Sequence, residues 1–95
     1  MSYCAICPFR TRTPAELEAA ILERMQFVRE ECASLDIEIR IRDLVIERDI
    51  AQILHASMSH VYRERARCNI RPKRIARKRA WTIREIALSI ETSTD

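Results

Sequence analysis

The chain is 95 residues long and contains no glycine. Glycine is the residue that ordinarily lets a backbone turn left-handed or approach a ligand closely. Its absence removes whole classes of chemistry. A phosphate-cradling P-loop and a dinucleotide fingerprint both need glycine beside the phosphate. A Gly-x-Ser-x-Gly nucleophile elbow is excluded for the same reason. Two-residue hairpins favour glycine or asparagine, so the expected architecture is helices joined by short polar turns.

Length allows one modest core and one domain, whose stability can depend on association. Hydrophobic residues make up 47% and charged residues 33% of the chain, a balance typical of a globular protein and not of a disordered one. No apolar run approaches the ~20 residues of a membrane helix. The N-terminus carries no basic-then-apolar leader, so a cytoplasmic location is expected, with the four cysteines reduced.

Residues 1–12 read as an irregular segment. Thr13-Pro14-Ala15-Glu16 is a helix start, with Thr13 as cap, Pro14 at the first helical position and Glu16 closing a capping box. The helix should run to about Ser34. Its apolar stripe is Leu17, Ile21, Met25, Val28, Cys32 and Leu35. From Ile21 the steps alternate between four and three, which fits either a seam between two copies or a face packed on the chain's own core. Residues 36–42, Asp-Ile-Glu-Ile-Arg-Ile-Arg, alternate polar and apolar. They predict a strand with Ile37, Ile39 and Ile41 on one face, paired across a homodimer because no second strand is evident. Near the C-terminus, Thr82 and Glu85 form a second capping box, and Trp81 and Ile86 a hydrophobic staple.

Between these elements lies Ile50-Ala51-Gln52-Ile53-Leu54-His55-Ala56-Ser57-Met58-Ser59-His60-Val61-Tyr62-Arg63. Ala51 is small where two helices would cross, Ile50, Leu54 and Val61 would face inward, and Ser57 would cap a second helix. This stretch resembles the helix-turn-helix of DNA-binding proteins, in the form found in resolvases, invertases and small phage or plasmid regulators. Two positions depart from the pattern: His55 stands where glycine is usual and Glu64 where an apolar residue is usual. The resemblance implies a first helix from Asp43 to about His55. It also implies a recognition helix from Ser57 to about Cys68 that enters the major groove. Met58, Ser59, Tyr62 and Arg63 would then contact bases, Arg63 being suited to guanine.

Charge supports that reading. Residues 1–49 carry 7 basic and 10 acidic side chains, and residues 50–95 carry 10 and 4. The basic ones fall between Arg63 and Arg84. A polyanion is the natural partner of such density, since each neutralised phosphate releases condensed counterions. Ser57, Arg65, Arg67, Arg71, Lys73, Arg74, Arg77, Lys78 and Arg79 are the candidate phosphate contacts.

Other chemistries find less support. Cys4 and Cys7 resemble the front of a two-Cys, two-His zinc finger, but Ala20 and Arg24 stand where the histidines belong. No catalytic constellation and no cofactor are expected. The sequence thus predicts a mainly α protein of about four helices. Residues 13–42 would serve dimerisation through Ile21, Met25, Val28, Cys32, Leu35, Ile37, Ile39 and Ile41. Residues 43–68 would form the helix-turn-helix, and 69–95 a basic segment with a C-terminal helix. The expected function is sequence-specific binding of double-stranded DNA by a homodimeric regulator of transcription or recombination, without membrane contact. Two alternatives remain open. One is a small protein-interaction module that docks on a host protein. The other is a ribbon-helix-helix binder presenting Glu38, Arg40 and Arg42 from the strand.

Overall fold

A computed structural model describes residues 13–93. The elements follow in the order α1 (Pro14–Ser34), β1 (Leu44–Ile46), α2 (Glu47–Leu54), α3 (Met58–Arg67), β2 (Lys73–Ile75), β3 (Lys78–Thr82) and α4 (Ile83–Glu91), with a short 3-10 turn at Ile41–Asp43. The protein is mainly α, with a three-stranded antiparallel sheet of order β1-β3-β2. Among the described residues no helix is long and apolar enough to cross a membrane.

Both capping boxes form as the sequence predicts. The Thr13 hydroxyl accepts from the Glu16 amide at 3.1 Å, and the Glu16 carboxylate accepts from the Thr13 amide at 3.0 Å. Thr82 and Glu85 repeat the arrangement at 3.1 and 2.8 Å. These bonds satisfy amides that a helix start leaves open. The two capped helices lie side by side. Arg84 pairs with Glu18 at one end and Arg24 with Glu91, at 2.7 Å, at the other, so α1 and α4 run in the same direction.

The core gathers Val28 and Cys32 of α1, Val45 of β1, Ile50 and Ile53 of α2, Val61 of α3, Trp81 of β3, and Ile83 and Ile86 of α4. The α1 stripe is therefore a core face, which corrects the expected dimer seam. Ile21, Val28 and Cys32 are at most 3% exposed inside one subunit, and Met25 and Ile37 pack against the same core. Of the residues assigned to dimerisation, only Leu35, Ile39 and Ile41 remain at the surface. Burial, reinforced by the nearby carboxylates of Asp49 and Glu31, pushes the Cys32 thiol above its ordinary range.

The predicted strand over 36–42 does not form. The backbone is left-handed at Asp36, Arg42 and Asp43, which interrupts the alternation. Ile37 turns inward, Ile41 is 82% exposed, and only a single bridge joins Arg40 to Leu44. Glu38 and Arg40 pair with each other at 3.4 Å instead of lining a ribbon, so the ribbon-helix-helix alternative loses its strand. The sheet lies elsewhere and closes within the chain. Leu44↔Thr82, Val45↔Trp81 and Ile46↔Ala80 pair on one side of β3, and Lys73↔Ala80, Arg74↔Arg79 and Ile75↔Lys78 on the other. The first helix of the predicted motif accordingly starts at Glu47, because Leu44–Ile46 form β1.

Residues 73–82 form a tight hairpin, contrary to the expectation from the missing glycine. Ala76 and Arg77 are its two turn residues, with φ of 49° and 69°. A two-residue type I′ turn needs positive φ at both positions, and here it is made by residues that bear a steric cost there.

Glu64, the anomalous polar residue on α3, fastens α3 to α4. The Arg67 guanidinium donates to both Glu64 oxygens, its Nε at 3.1 Å from each, and the Ser89 hydroxyl donates at 2.9 Å. Arg67 also donates to the carbonyls of Ser89 and Thr92 at 3.1 and 3.2 Å, a favourable place for a cation at the end of a helix. The Arg67 bonds hold the Glu64 carboxyl below its ordinary 4.5. A carboxyl depressed in the folded state contributes stability that is full above its unfolded value and is lost as pH falls through the folded one. Thermal melts followed by circular dichroism from pH 7 to pH 3 should show a loss of stability below about 4.5 that is reduced in Glu64→Gln.

Candidate nucleic-acid interface

A three-residue connection, His55 to Ser57, joins α2 to α3. His55 is left-handed, with φ 53° and ψ 46°, and its amide closes the end of α2. Histidine tolerates this region better than β-branched residues do. Ser57 then begins α3, its hydroxyl accepting from the His60 amide at 3.3 Å. Val61 is fully buried, which sets the rotation of α3. That rotation leaves Ser59, Tyr62 and Arg63 exposed and Met58 half-buried.

Beside α3 stands the β2–β3 hairpin, and between them lies a cleft of about 360 Å³. Ile46, Glu47 and Arg48 at the start of α2 and Tyr62 of α3 line it on one side, and Arg74, Arg77, Lys78 and Arg79 of the hairpin on the other. Arg74 and Arg79 sit directly opposite each other on paired strands. Like charges in that register destabilise a sheet. Arg48 lies in the first turn of α2, where the helix dipole disfavours a cation.

The candidate phosphate contacts fall into two groups that the sequence does not separate. Arg65 donates to Glu47 at 2.9 Å, Arg67 is held by Glu64, and Lys73 pairs with Glu85 at 3.0 Å. Arg71, Arg74, Arg77, Lys78 and Arg79, with Arg63 on α3, have no ion-pair partner among the described residues. Arg48 belongs with this second group. The sequence reading missed it, although a cation at the start of an otherwise acidic helix turn was the available signal.

Beneath the cleft, Glu47 is 5% exposed. Its Oε2 accepts from the Trp81 indole N–H at 2.9 Å as well as from Arg65. The Arg65 guanidinium carbon lies 5.2 Å from the Tyr62 ring centroid, within cation–π range. Among the described residues no group of three or more His, Cys, Asp or Glu could hold a metal ion. Cys4 and Cys7 lie outside the described residues.

Comparison of the chain with protein-family models, with curated proteins and with solved structures gives no match.

The geometry of the interface depends on the cap that starts α3. Ser57→Ala should destabilise the protein by about 1 kcal/mol, the typical value of a lost N-cap, measured by urea unfolding. Ser57→Asp should retain most of that stability.

Proposed function

We propose that the chain binds double-stranded DNA through α3 and the β2–β3 hairpin, as a small regulator of transcription or recombination. In this reading α2 and α3 are a helix-turn-helix, and the hairpin is a basic wing beside it. The reading rests chiefly on one observation: Arg48, Arg74, Arg77, Lys78 and Arg79 surround one cleft without ion-pair partners among the described residues. The costs of opposed arginines in the sheet and of a cation at a helix start are offset when a polyanion enters. Ser59, Tyr62 and Arg63 would reach base edges, with Met58 flanking them. Arg71 and the hairpin cations would hold the backbone and fix register. Arg65, Arg67 and Lys73 support the fold in this scheme and do not touch phosphate. Two copies would meet a palindromic site with half-sites about 34 Å apart, with Leu35, Ile39 and Ile41 as the exposed apolar residues available for their contact.

A second reading is favoured by a groove of about 760 Å³ whose lining includes Ile39, Ile41, Leu44 and Ile75 with Arg40, Arg42 and Lys73. Exposed Ile39 and Ile41 beside Arg42 and Arg74, which have no ion-pair partner among the described residues, suit an acidic segment of a protein partner.

Duplex titrations at several salt concentrations test the proposal. Binding should weaken steeply with salt. Arg79→Ala should weaken every duplex alike and reduce the logarithmic salt slope by about 1. Arg63→Ala should cost about 1–3 kcal/mol on the preferred sequence and little elsewhere. Salt-insensitive binding, or equal effects of both substitutions on all sequences, would sink sequence-specific recognition by α3.

A further inference from the structure

The structure assigns to Glu47 the role of a positioning residue, one that fixes α3 against the hairpin and seats Arg65 beneath Tyr62. This rests on the reading of α3 and the hairpin as a DNA interface, and part of it can be measured in the free protein.

Three elements meet at one carboxylate oxygen. Trp81 belongs to β3, the strand that leaves the hairpin and enters the core. Arg65 belongs to the outer part of α3, and Glu47 to the first turn of α2. Oε2 of Glu47 accepts from Trp81 Nε1 and from Arg65 Nη1, each at 2.9 Å. Trp81 is fully buried, so its indole N–H needs an acceptor. For that donor a neutral carbonyl oxygen would suffice. The second donor explains the charge: the Arg65 side chain is 23% exposed and the Glu47 side chain 7%, and a guanidinium so enclosed calls for a carboxylate.

Stability by itself does not account for such a pair, because well-packed apolar residues often replace buried ion pairs without loss. What the pair provides is direction. A planar guanidinium held by an acceptor keeps its orientation, and its carbon stands 5.2 Å from the Tyr62 ring centroid. Tyr62 is 46% exposed and forms the α3 wall of the basic cleft. Glu47 thus sets Arg65, Arg65 supports the ring, and the ring faces the hairpin cations. Arg65 is in this way spent inside the protein and is not a phosphate ligand.

The test compares the full chain with Glu47→Gln and with the charge-neutral pair Glu47→Gln/Arg65→Met. In the free proteins, NMR reads hydrogen exchange at the Trp81 indole and the Tyr62 ring resonances. The glutamine carbonyl can still accept from Trp81 but no longer neutralises Arg65, so indole protection should persist while the loosened guanidinium lets the Tyr62 resonances move toward those of a free tyrosine. On a 20-base-pair duplex, affinity should fall about tenfold in both variants, the scale of one displaced base contact, with the salt slope not reduced. The pair should lose no more than the single variant, since coupled residues are not additive. Unchanged Tyr62 resonances in Glu47→Gln would overturn the positioning role. So would a salt slope lowered by about 1 in the pair alone, which would make Arg65 a phosphate contact. If Glu47→Gln does not fold, the Tyr62 resonances are read in Glu47→Asp, whose shorter side chain withdraws the acceptor from Arg65 while keeping the charge. If the unaltered chain binds no duplex, the DNA reading fails, and the Tyr62 resonances still decide the role of Glu47.

Discussion

A fully buried tryptophan on the central strand is the constraint from which the other arrangements follow. Trp81 lies on β3, the middle strand of the sheet, beside Val45 of β1, and contributes the largest side chain of the core. Its apolar body is stabilised by burial, but its N–H must find a partner inside the protein. The partner is a carboxylate on a different element, and that carboxylate in turn takes an arginine from a third. One hydrophobic residue therefore obliges α2, α3 and the hairpin to keep fixed relations. The cleft above them inherits its shape from that obligation.

Three carboxylates are set against the cations of the basic half of the chain. Glu47, Glu64 and Glu85 each hold one cation at a junction between elements. The remaining cations of the hairpin and of α3 face outward together. Because partly buried pairs are screened less than exposed charges, added salt weakens the outward surface before it weakens the joints. The outward charges can be screened over a salt range in which the molecule stays folded.

Local signals were readable in the sequence. Thr13 with Glu16 and Thr82 with Glu85 carry their partners three residues away, and Ser57 needs only the amide of His60. The α2–α3 connection was readable for the same reason, down to the left-handed His55. The sheet was not. β1 is three residues long and buried throughout, so it shows no alternation, while residues 36–42 alternate and are interrupted by left-handed turns. Half of the hairpin's strand residues, Lys73, Arg74, Lys78 and Arg79, are Lys or Arg, which carry no strand preference, and Ala76-Arg77 is not a recognisable turn pair. The division of the cations was hidden because it depends on partners 18 residues apart for Arg65 and Glu47 and 12 apart for Lys73 and Glu85. No local pattern encodes such pairings. The α1 seam was ambiguous in principle, since a core face and a dimer face share one periodicity.

The seven left-handed residues among those described, Asp36, Arg42, Asp43, His55, Asn69, Ala76 and Arg77, bear on the unfolded chain as much as on the folded one. Glycine at those positions would relax the native backbone and would also widen the denatured ensemble, which must be narrowed again at every folding event. A side chain at each of them does the reverse: it strains the native turn and restricts the coil. The protein therefore draws part of its stability from a coil with fewer conformations to lose.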